Sequence, residues 1–200
     1  TSGLDLQYLQ DGWALDDEEA ANLHDSRTSM FSYMVRISRD LPRGLTLSED
    51  AVTEFVKWTN ETNNTSKIRW LESNRNTYKY YGEYWIVLAE SYYEAGEYAK
   101  CLSAIDEYEA LDNSIFRRAI RFAQALPCAI VAARETLKPK EYETVAYKYA
   151  QLILYNTYNN DWSLRYFAAQ TLIDLYAKTN NKNYLSQAFE IVYDNVNELA

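Results

Sequence analysis

Apolar residues recur at spacings of three and four along almost the whole chain, the pattern of helices that each bury one face. The densest run covers residues 78–111. Tyr81, Trp85, Leu88, Tyr92 and Ala95 share one face of a first helix, and Tyr98, Cys101, Leu102, Ile105 and Tyr108 share the inner side of a second. Between them, Gly96 is placed to end the first helix in the left-handed conformation that glycine adopts freely. A turn this short folds the second helix back, antiparallel, on the first.

The rest of the chain reads as more units of this kind. Residues 1–15 fit either a short helix or an extended arm. Acids at 16–19 suit a helix start, and Ala20, Leu23, Met30, Met34, Ile37 and Leu41 form a stripe interrupted by Arg27. Pro42 ends that helix. Thr46 and Glu49 have capping-box spacing for the next one, which carries Leu47, Ala51, Phe55 and Trp58. A polar loop over 59–65 holds two N-x-Thr sequons, at Asn60 and Asn63, and a further helical stretch over 66–71 breaks or kinks near 73–76.

Ser114 is a candidate cap for a helix through Phe122, which Pro127 is expected to kink or split. Residues 128–133 are apolar on all sides and expected to be buried. After Lys138, Pro139 and Lys140, helices are expected over 142–158, from a cap at Asp161 over 162–178, and from 184 to 199.

The expected fold is therefore all-α, with antiparallel hairpins stacked as a short, irregular α-solenoid in one domain over residues 1–200. Its parts are N-terminal helices (16–74) and hairpins at 78–111, 114–158 and 162–199. Stacking has a physical reason. Burying a Leu or Phe side chain is worth ~1.5–3 kcal/mol, whereas ordering each residue costs ~1–2 kcal/mol. A lone hairpin leaves apolar faces uncovered, so neighbours share a core.

Hairpin 78–111 resembles a tetratricopeptide repeat. Trp85, Leu88, Ala89 and Tyr92 supply that family's aromatic, Leu, small residue and Tyr; Gly96, Tyr98 and Cys101 match its turn Gly, second-helix aromatic and small packing residue. Ile105, Tyr108 and Asn113 depart from the pattern. A weaker echo has Tyr176, Asn180 and Tyr184 where Tyr92, Gly96 and Tyr98 stand, and Tyr142 also falls at the Tyr98 position. The resemblance implies peptide binding along a concave surface made by the first helix of each pair. Carried over by position, it places Glu83, Ile86, Glu90 and Tyr93 on that surface, with Gln170 and Asp174 from the last hairpin. The lysine and asparagine clamp of some members is absent. Glu stands there instead, so basic or neutral segments are the expected ligands.

Composition narrows the function classes. Three Pro and five Gly are too few for a turn-rich sheet protein, and 19 Tyr beside five Trp suit half-buried helix faces and binding surfaces alike. Formal charge is −9, and ten of the first fifty residues are acids against four bases. No basic stripe exists to neutralise phosphates, so nucleic acid is not an expected partner. Arg117, Arg118 and Arg121 read as one solvated helix face. No apolar run reaches the length of a membrane span and no signal peptide is present. Absence of an initiator Met suggests a segment of a longer protein.

No catalytic machinery is legible. His24 is the single histidine, Cys101 and Cys128 read as small buried hydrophobes, and no zinc, calcium or phosphate-loop motif occurs. No cofactor or metal is expected. Glu83, Glu90 and Glu94, among Tyr80, Tyr84 and Tyr93, hold the one carboxylate cluster a glycosidase could use. A solvated acidic face is the favoured reading of it. The expected function is thus a non-enzymatic protein- or peptide-binding scaffold. The alternative is a glycan-binding or envelope-associated helical domain that uses the Tyr and Trp surplus.

Overall fold

Helix signals govern every regular element that folds. A computed structural model describes residues 47–111, 119–158 and 160–198. They form α1 (Glu49–Thr59), α2 (Asn64–Ser73), α3 (Arg75–Tyr78), α4 (Gly82–Glu94), α5 (Tyr98–Glu109), α6 (Ile120–Thr136), α7 (Pro139–Asn156), α8 (Trp162–Thr179) and α9 (Lys182–Glu198). No strand occurs among the described residues, so the fold is all-α. The chain divides into two units, Thr1–Leu47 and Ser48–Ala200. That division cuts the expected 16–74 group at residue 47. The arm at 1–15, the first expected helix with His24, Thr46 of the expected capping box, and Ser114, Arg117 and Arg118 lie outside the described residues.

Packing follows chain order. From α4 onward each helix lies against the next, and α2, α4, α6 and α8 also touch in sequence as every second helix. The hairpins α4–α5 and α8–α9 have the most extensive contacts. Both turns end in the same backbone state: Gly96 has φ +75° and Asn180 φ +57°, the two positive values among the described residues. At Gly96 the termination is a Schellman motif, with Gly96 N–H donating to the Tyr93 carbonyl at 3.0 Å and Glu97 N–H to the Tyr92 carbonyl at 2.8 Å. The Asn180 turn shares the positive φ but not the bond pattern, since Asn180 N–H donates to the Tyr176 carbonyl at 2.7 Å.

Several local expectations need correction. The cap of α1 is Ser48, whose hydroxyl accepts from Ala51 N–H at 3.2 Å. The polar loop is shorter than expected because Asn63 caps α2, accepting from Ser66 N–H at 2.9 Å. Both sequon asparagines thus have structural partners, since Asn60 Nδ2 donates to the Val56 carbonyl. Asp161 stands at the N-cap of α8 without capping through its side chain. Its carboxylate accepts from Tyr158 N–H instead. Pro127 does not split α6, which runs unbroken on both sides of it. One lost helical hydrogen bond is outweighed by burial of Phe122, Leu126, Ile130 and five alanines around it.

The tyrosine surplus has a structural use. Tyr78 hydroxyl donates to the Ala51 carbonyl at 2.9 Å, Tyr84 to the Leu71 carbonyl at 3.0 Å and Tyr92 to Glu72 at 2.7 Å. Tyr142 reaches Asp174 at 3.0 Å and Tyr184 reaches Glu143 at 2.9 Å. Each ring fills a helix interface while its hydroxyl satisfies an acceptor on another helix. Around Tyr78 the rings also form a chain, with Trp70, Phe55 and Tyr84 centroids 5.4, 5.3 and 6.0 Å away. This chain joins α1 and α2 to α4.

Candidate functional site

Glu83 and Glu90 lie two turns apart on α4, so their side chains share a face. Arg121, in the first turn of α6, closes over both. Its Nε donates to Glu83 at 2.9 Å, and its two terminal nitrogens grip both oxygens of Glu90 at 2.6 Å each. The side chains are 39%, 31% and 29% exposed. The hydrogen bonds that Arg121 donates to Glu90 raise its pKa further, against the opposing effect of burial. Arg121 is thus not part of a solvated basic face: it clamps α4 to α6. Glu83 and Glu90 line a 320 Å³ cavity with Phe55, Lys67 and Glu94, but both oxygens of Glu90 and Oε1 of Glu83 are engaged by this chain's own guanidinium. A paired-carboxylate hydrolase site would need at least one of them directed at a substrate.

Ile86 is 2% exposed and belongs to the core. Tyr84, one of the rings among which the three acids fall in the sequence, is fully buried. The reason is that α4 packs on α2, α5 and α6, so almost its whole circumference is covered. Tyr93 is half-buried, with its ring 5.9 Å from that of Tyr98 across the turn.

Gln170 and Asp174 stand on α8, and here an open groove exists. A 240 Å³ cavity between α6 and α8 is lined by Ile130, Val131, Phe167, Thr171, Gln170 and Asp174. A second cavity of 600 Å³ lies further toward the end of α8, with Leu137, Pro139 and Leu175 among its walls. Arg134 and Tyr142 border both, and the wider one is walled largely by the start of α7 through Pro139, Lys140, Tyr142 and Glu143. Asp174 lines the smaller cavity and accepts from Tyr142 at 3.0 Å and Lys178 at 2.8 Å. Burial, and then its hydrogen bond to Asp174, push the Tyr142 hydroxyl pKa well up. The phenol therefore remains a donor across the physiological range.

Neither a protein-family model, nor a curated protein, nor a solved structure matches this chain. Its function must be read from its own surface. Among the described residues no three His, Cys, Asp or Glu side chains are grouped to hold a metal ion, and no helix is long and apolar enough to cross a membrane. Cys101 and Cys128 are free, the first buried and the second half-buried. Burial pushes their thiols up to about 12 and about 11, so both are poor nucleophiles at neutral pH.

Sequence reasoning named Gln170 and Asp174 but missed Arg134, Lys140, Tyr142 and Lys178. Lys140 was legible only as part of a turn. Its place on the same cavity as Lys178 depends on how α7 packs against α8, which no local pattern encodes.

Proposed function

We propose that this chain is a non-enzymatic helical scaffold that holds an extended stretch of a partner protein in the groove between α6 and α8. The observation that carries this reading is the pair of cavities that meet at Arg134 and Tyr142. From Phe167 to Thr179 the groove follows about 18 Å of helix, at ~1.5 Å per residue. A peptide of five or six extended residues spans that length at ~3.3 Å each. Alternate packing of α2, α4, α6 and α8 supports reading the fold as stacked, tetratricopeptide-like hairpins, whose first helices would form the binding layer. The α4 acids are engaged by Arg121, which favours a binding face on α6 and α8 over one on α4.

The glycan alternative draws on exposed rings such as Tyr155, 74% exposed, and Tyr166, 52% exposed. Isothermal titration against pooled decapeptides and a glycan panel separates the two readings. Peptide binding that Gln170→Trp abolishes, with the melting temperature unchanged, supports the groove. Glycan binding without peptide binding, or peptide binding that Gln170→Trp leaves intact, overturns it.

A further inference from the structure

We infer that the wider cavity of this groove selects an acidic segment, with a ligand carboxylate at a cationic mouth and a neighbouring apolar side chain on the floor. This rests on the groove reading above and reverses the charge preference expected from the α4 acids.

In a chain of formal charge −9, the 600 Å³ cavity is bordered by Arg134, Lys140 and Lys178 against one carboxylate, Glu143. Glu143 already accepts a hydrogen bond from Tyr184 at 2.9 Å. The three cations are neutralised unequally. Lys140 is exposed and has no ion pair among the described residues. Arg134 meets only its sequence neighbour Glu135, through one nitrogen at 3.3 Å, which leaves the rest of its fork for a ligand carboxylate. Lys178 is the best paired, 2.8 Å from Asp174, and lies over the Tyr142 ring at 4.5 Å. Inside the mouth, Leu137 and Pro139 offer apolar surface to a ligand side chain, above the fully buried Leu175. A basic segment would meet like charges here, which disfavours it more strongly than the apolar floor can offset.

The test is an amide-resolved NMR titration of the 200-residue chain with two hexapeptides. One is acetyl-Asp-Glu-Leu-Phe-Asp-Glu-amide; the other replaces its four acids with Lys. The acidic peptide should shift Leu137, Tyr142, Leu175 and Thr179 saturably, and bind at least about five-fold tighter than the basic one. Lys140→Glu with Lys178→Glu should remove that preference, and raising NaCl from 50 to 500 mM should weaken the acidic peptide alone (ionic strengths on the order of those at which ~14 Å and ~4 Å screening lengths apply). Equal or tighter binding of the basic peptide at the same amides overturns the charge inference and leaves the groove standing. If neither peptide shifts these amides, both the inference and the groove reading fail.

Discussion

Replacing Arg121 with Met keeps the aliphatic stem over α4 but removes the grip on Glu83 and Glu90. Near a protein surface a charge pair separated by ~4 Å attracts by ~4 kcal/mol before any opposing terms. Against this stand the desolvation of three groups left 29–39% exposed and ~2 kcal/mol of arginine rotamer entropy, part of which is lost on fixing the fork. The two-pronged contact to Glu90 is short on both sides at 2.6 Å, whereas Glu83 receives one bond at 2.9 Å. A net loss of ~1–2 kcal/mol follows, above the ~0.2–1 kcal/mol of an exposed pair and below the ~3–5 kcal/mol of breaking a buried one. With a urea slope of ~2 kcal/mol/M, the unfolding midpoint should fall by ~0.5–1 M. A double-mutant cycle of Arg121→Met with Glu90→Gln should give a coupling of ~1 kcal/mol, larger than the same cycle with Glu83→Gln. A coupling to Glu90 below ~0.3 kcal/mol would show that the contact adds nothing beyond a solvated ion pair. Arg121 would then be no clamp, and α4 would be held on α6 by apolar packing alone.

Three further outcomes are expected. Gly96→Ala should lower stability by ~1 kcal/mol by urea unfolding, because an added Cβ meets nothing within 4 Å and only the positive φ opposes it; Asn180→Gly should change stability by less than ~0.5 kcal/mol, since Asn already tolerates that conformation. Burial raises the Tyr84 pKa to about 12 and also raises those of Tyr92, Tyr142 and Tyr149 above the unfolded value near 10. Their stabilisation is complete below pH 10 and is lost as pH rises through the folded values, at up to ~1.4 kcal/mol per group per pH unit. The melting temperature should therefore drop steeply above pH 10, with a matching step in tyrosinate absorbance at the same transition; gradual ionisation of all tyrosines in the folded state would contradict this. Ellman's reagent at pH 8 should label Cys101 at least about a hundred-fold more slowly than it does in guanidinium, with Cys128 intermediate, as fits a buried and a half-buried thiol.

Periodicity made the helices and their turns legible, because a 3.6-residue repeat is a local property. Gly96 and Asn180 were visible for the same reason: left-handed turns depend on the residue that occupies them. Arg121 was misread because its partners lie more than thirty positions earlier in the chain. From its own segment it is simply a cation on a helix, and only α4–α6 packing makes it a clamp. At Pro127 the split, one of the two expected outcomes, does not occur, because a local rule against proline yielded to burial that the sequence around it did not quantify. The groove fared in between. Gln170 and Asp174 followed from position on α8, while the cations at its end come from three different helices.

The tyrosine hydroxyl bonds connect elements that lie close in chain order: α3 to α1, α4 to α2, α7 to α8, and α9 to α7. Packing contacts follow the same near-neighbour order. If the hairpins stack as proposed, local opening can begin at one end ahead of global unfolding. Amide exchange should then be graded rather than uniform, slowest in α4 and α6, whose interiors are covered on several sides, and fastest toward the end of α9. A partner laid across α6 and α8 would oppose such opening by binding two helices as one unit, which turns ligand occupancy into protection of the whole C-terminal half.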